Sequence, residues 1–149
     1  MISEVIACSE WLERLITKKY IIAISEMTTY ETKRDHFRRI QSPKCSNAEK
    51  QNAEKAIEEL NKLINMKGVI HYPVTSEEDN VMEEAAKLWA FARNNSWVAY
   101  DADLIIAAQA VILKRIGIDV IIATTDTQDF NRLLKQHHID ARRWQDIST

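Results

Sequence analysis

Apolar residues recur at helical spacing in two long stretches of this chain. Ile57, Leu60, Leu63 and Ile64 share one face of a predicted helix over 48–67, and Val81, Ala85, Leu88 and Ala92 share one face of another. The second stretch follows Ser76 and the run SEED, a serine with an acid three residues on, which is the pattern of a capping box. Two other runs behave differently. YIIAI at 20–24 and DVIIATT at 119–125 are continuously apolar, which predicts strands covered on both faces. LIIAAQAVIL at 104–113 is almost wholly apolar but leads into Lys114, Arg115 and Gly117, so it predicts a central buried helix.

Punctuation supports the same division. Gly68 and Gly117 each close a helical pattern and open an apolar run, the place of a helix C′ glycine that feeds a strand. Ser42-Pro43 interrupts the helical pattern and makes 41–47 a loop. A weaker strand is expected at IDARRW, near the end of the chain. The predicted order is helix, strand, helix, helix, strand, helix, helix, strand, helix, strand. That alternation is the α/β class, with a short parallel sheet flanked by helices on both faces.

Composition narrows the class without naming a function. The 149 residues suit one domain, and 46% hydrophobic with 28% charged residues excludes a disordered chain. No apolar run approaches the roughly 20 residues a membrane-spanning helix needs, and the start MISEVIACSEW lacks the pattern of an export signal, so a cytoplasmic location is expected. Cys8 and Cys45 are far apart and form no CxxC or Cys/His cluster, which argues against disulfide or zinc frameworks. His36, His71, His137 and His138 show no metal-ligand spacing. A net charge of −2 gives no general attraction for nucleic acid, so such binding would need a local patch or a cation.

In open parallel sheets the working groove lies beyond the carboxyl ends of the strands. Glu31 lies about two helical turns beyond Ser25, Asp126 follows DVIIATT directly, and Asp101 and Asp103 open the buried helix. Carboxylates meeting there would hold Mg²⁺ or Mn²⁺, which take oxygen ligands and keep waters for a phosphate substrate. Each acid also has a plainer role. Asp101, Asp103 or Asp126 would serve as a helix N-cap, with DTQD itself resembling a capping box, and Glu31 would pair with Arg34 one turn on.

The joint arrangement changes the weighing. ISEMTTYETKR at 24–34, DADLIIAAQA at 101–110 and IIATTDTQDF at 121–130 resemble, in order and type, three signature segments of the PIN-domain ribonucleases, especially the VapC-like toxin group. The likeness runs from about residue 20 to the C-terminus and includes Trp144 and Asp146-Ile147; the helices over 48–67 match only in general character. It implies a single PIN-like domain over 1–149 with Glu31, Asp103 and Asp126 as catalytic and metal-binding acids. Asp101 is then an added acid and Asp129 a supporting one. The family opens with a strand ending in an aspartate, whereas this chain begins at or just before the following helix. By that comparison it is N-terminally incomplete, short of one strand and one metal ligand.

The activity so implied is Mg²⁺- or Mn²⁺-dependent hydrolysis of RNA phosphodiester bonds, with water as nucleophile and a hydrogen bond from Thr124 or Thr125. Arg34, Arg38 and Arg39, with Lys33, are candidate contacts to RNA phosphates, or else an ordinary solvated face. The alternative is a catalytically impaired PIN-like protein kept for binding, its partner an antitoxin-like protein or a second copy in a homodimer. Trp11, Trp89 and Trp97 are expected in the core. VAYDADL also contains the Asp-x-Asp core of haloacid-dehalogenase-type phosphotransferases, whose first aspartate is the nucleophile. Only a short apolar run precedes it and a buried helix follows, which argues against that class.

Overall fold

Side-chain caps set where four of the helices begin, among the described residues. In the computed structural model, which describes residues 2–74 and 80–149 except for the side chains of Ile2, Ser3 and Val5, helix α1 spans Ile2–Thr17 and leads to strand β1, Ile22–Ser25. Ser25 ends β1 and caps α2, Glu26–Gln41, its hydroxyl oxygen accepting from the Met27 amide. The loop expected over 41–47 follows. Ser46 and Glu49 then close a full capping box on α3, Asn47–Ile64. Strand β2, Val69–Tyr72, precedes α4, Val81–Asn94, whose cap is Asn80, accepting from the Glu83 amide. The capping box expected from Ser76 lies outside the described residues. The remainder is α5 (Asp101–Arg115), β3 (Ile121–Ala123), α6 (Thr127–Leu134) and β4 (Asp140–Arg142), in the predicted order.

The expectation of one sheet is corrected. β1 pairs in parallel with β2, Ile22 opposite Val69 through Ser25 opposite Tyr72, and β3 pairs in parallel with β4, Ile121 opposite Asp140 through Ala123 opposite Arg142. The result is two separate two-stranded sheets, and no strand among the described residues joins them. Every strand is therefore an edge, which overturns the reading of YIIAI and DVIIATT as runs buried on both faces. Tyr20 and Ile21 are exposed ahead of β1, and Ala23, Ile121 and Ala123 are exposed within β1 and β3. Asn131 of α6 blunts the β4 edge, its side chain donating to the Ala141 carbonyl and accepting from the Ala141 amide.

The core gathers around α5. Leu104, Ala107, Ala108, Val111 and their buried neighbours meet the predicted Val81, Ala85, Leu88 and Ala92 face of α4. Phe130, Leu133 and Leu134 of α6, with Ile139 and Ala141, close the other side. Gly117 takes φ +91° at C′ of α5, where its amide donates to Lys114 and that of Ile118 to Leu113, the paired bonds of a Schellman motif. Gly68 also has φ +89°, but it stands three residues beyond the Asn65 cap of α3, in the turn that enters β2. Of the tryptophans, Trp11 is buried against Trp144 at 5.8 Å between ring centroids and donates to the Ile147 carbonyl, tying α1 to the chain's end. Trp97 is half-buried against Phe91. Trp89 departs from expectation: it lies exposed on the outer face of α4, under Arg93.

One polar residue inside this apolar helix fixes its place. Gln109 is 3% exposed; its amide oxygen accepts from the Ser25 hydroxyl at 2.6 Å and its NH₂ donates to the carbonyls of Pro73 at 3.0 Å and Tyr72 at 3.4 Å. Replacing Gln109 with alanine leaves a void and removes its bonds to buried Ser25 and to the Tyr72 and Pro73 carbonyls. The expected loss is about 2–4 kcal/mol, read from the denaturant midpoint, while Gln136→Ala on the exposed surface shifts it little.

Candidate functional site

The carboxyl ends of the two half-sheets both abut α5. Ser25, at the end of β1, touches Gln109, while the end of β3 faces the first two turns of the same helix. Between them opens a cleft of about 420 Å³. Thr28, Glu31 and Thr32 of α2 form one wall, Asp103 stands on another, and Ile106, Ile122 and Phe130 supply apolar surface. Glu31 and Asp103, 72 positions apart in the chain, therefore open onto the same space.

The plainer roles weighed for each acid can now be assigned. Asp126 caps α6, accepting from the Asp129 amide at 3.4 Å, and its own amide donates to the Thr124 hydroxyl. The Thr124 hydroxyl thus serves the turn that leads into α6. Glu31 pairs with Arg34 at 2.7 Å, and Asp129 lies 3.8 Å from Arg132. Neither Asp101 nor Asp103 caps α5: that position belongs to Tyr100, which makes no side-chain capping bond. Asp101 is exposed in the first turn. Both aspartates of the Asp-x-Asp motif thus stand in a helix, with no strand running into them, which removes the geometry of the phosphotransferase reading.

Asp103, like Asp101, has no such structural task among the described residues, but of the two only Asp103 lines the cleft. It is partly buried, and burial pushes its carboxyl above the ordinary aspartate range, with repulsion from Asp126, Asp129 and Glu31 adding to the rise. The three acids expected to converge are thus electrostatic neighbours. Convergence stops short of a cage, because among the described residues no group of three or more His, Cys, Asp or Glu side chains could hold a metal ion. Carboxylate oxygens are the kind of donor that Mg²⁺ or Mn²⁺ takes.

The basic residues of α2 are largely self-neutralised. Arg34 is held by Glu31 and lies over the Tyr30 ring, while Arg38 and Arg39 both bind Asp35, at 2.9 and 3.0 Å. The candidate phosphate contacts thus form an ion-paired helical face. No family model, curated protein or solved structure matches the chain. No helix of the described residues is long and apolar enough to cross a membrane.

A carboxyl with a raised folded-state pKa binds its proton more tightly in the folded than in the unfolded chain. Its ionisation therefore weakens the fold as pH climbs from the unfolded value, about 3.9, through the folded one. Asp103→Asn removes that penalty. The variant should melt above the parent at pH 7, with the difference vanishing as pH falls below about 4. Thermal denaturation across that range checks it; a lower melting temperature at pH 7 would instead make the ionised carboxylate a structural asset.

Proposed function

We propose that the cleft between α2, α5 and β3 is a PIN-like, divalent-cation-assisted site for hydrolysing RNA phosphodiester bonds. One observation carries the reading. Asp103 is a partly buried carboxylate without a cap or ion pair among the described residues, crowded by Asp126, Asp129 and Glu31, and a fold gains nothing from concentrating like charge without a cation to relieve it. The three segments that resemble the family supply the walls of this one cleft.

In this reading Asp103 is the anchoring ligand, and Asp126 or Glu31 joins it, directly or through water, on leaving its cap or ion pair. A Mg²⁺ or Mn²⁺ held by Asp103 with Asp126 or Glu31 would supply Lewis-acid chemistry for phosphodiester hydrolysis. Thr124 holds the Asp126 turn in place through its hydroxyl. The apolar surface of Ile106, Ile122 and Phe130 limits solvent on one side and strengthens every charge interaction within the cleft.

A second reading has its own support: an impaired PIN-like scaffold kept for binding an antitoxin-like protein or a second copy. It is favoured by the lack of a three-ligand group among the described residues and by the exposed Met82 and Trp89 on α4. Metal dependence separates the two. The nuclease reading expects Mn²⁺ to raise the melting temperature and to support RNA cleavage, both lost in Asp103→Asn, the cleavage by about 100-fold or more. A folded chain that neither responds to Mn²⁺ nor cuts RNA leaves only the scaffold.

A further inference from the structure

Beside the acids, the cleft carries a conspicuous aromatic group. Tyr100 lines it and is 68% exposed, next but one to Val98 at 71%. Its backbone is fixed, since it holds the N-cap position of α5 with extended φ −88°, ψ 147°, and its carbonyl accepts from the Leu104 amide at 3.0 Å. Its side chain is free. The ring stacks on no described aromatic residue, and the hydroxyl makes no hydrogen bond with any described residue. A rigid stem thus presents an unused aromatic face to solvent at the mouth of the cleft.

Tyr100 and Asp103 both line the cleft, together with Thr28, Glu31 and Thr32 of α2. A flat apolar face next to a carboxylate cluster suits a ligand that is itself flat at one end and anionic at the other. A nucleotide has that form, its phosphate drawn to a carboxylate-bound cation and its base free to lie on a ring.

We infer that Tyr100 is the base-stacking residue of this site, receiving an unpaired nucleobase adjacent to the phosphate held near Asp103. The inference rests on the nuclease reading and adds to it the residue that grips the substrate. Stacking on one face requires the base to leave any duplex, and it tolerates all four bases because each has a flat face. The tyrosine hydroxyl has no part in it, so phenylalanine serves equally well.

The test uses the full chain, a short fluorescein-labelled single-stranded RNA, and a blunt RNA duplex of the same length, with binding followed by anisotropy and cleavage by gel, both in Mn²⁺. Tyr100→Leu should weaken single-strand binding by about 10-fold and raise KM in step with little change in kcat, while Tyr100→Phe matches the parent. The duplex should bind poorly to all three. Because the ring is exposed, the melting temperature of Tyr100→Leu should equal the parent's, which separates grip on substrate from support of the fold. Unchanged binding in Tyr100→Leu, or equal binding of duplex and single strand, overturns the inference while leaving cleavage to stand. A parent that binds RNA without cutting it defeats the hydrolytic reading, and the Leu and Phe variants still decide stacking from their affinities. A parent that neither binds nor cuts defeats both.

Discussion

The buried amide of Gln109 is the constraint on which the arrangement depends. An apolar side chain at that point in α5 would fit the surrounding pattern but would leave the Ser25 hydroxyl and the carbonyls of Tyr72 and Pro73 without this partner at the ends of β1 and β2. The amide provides an acceptor for one and donors for the others, and so fixes α5 in both axial position and rotation. Ser25 at the same time caps α2, so the bond passes from the central helix to the helix that bears Glu31. One side chain in this way relates two walls of the acidic cleft.

The division of the sheet makes that role more demanding. Two parallel pairs, each with exposed apolar edges, cannot align one another through backbone hydrogen bonds, as strands of a continuous sheet do. Alignment falls to the helices. α5 reaches the first pair through Gln109 and the second through its packing on Ile122 and α6, and α1 adds a tie from Trp11 to the chain's end. Glu84, buried on α4 and bonded to Arg115 at 3.0 Å, locks the far end of α5 in turn. The cleft is thus positioned mainly by helix packing.

Much of this was legible in the sequence, for identifiable reasons. The order of elements followed from periodicity and two glycines, and Gly117 ended its helix as expected because only a residue without Cβ takes φ +91° freely. The α4 face was legible because Val81, Ala85, Leu88 and Ala92 all point to one core. Strand burial was not, since a run of isoleucines looks the same whether or not a neighbouring strand covers it, and pairing is a long-range property. Gln109 was passed over, although it is the one polar residue within LIIAAQAVIL, and that interruption is the signal that could have found it. Tyr100 offered no pattern, because exposure beside a cleft is decided by distant segments.

Among the acids, sequence spacing could not assign the structural roles, and geometry assigns them to Asp126 and Glu31. A carboxylate that caps a helix or meets an arginine lowers the energy of the fold, which is reason enough for Asp126 and Glu31 to be where they are. Asp103 has the opposite balance: its charge is opposed by burial and by three neighbours. Perturbed carboxyls of this kind cluster at functional sites, which is the ground of the proposed function. The same balance explains why the cap and the ion pair matter to the site. They hold Asp126 and Glu31 near Asp103 at modest cost, because an exposed pair or cap of this kind contributes little to the fold.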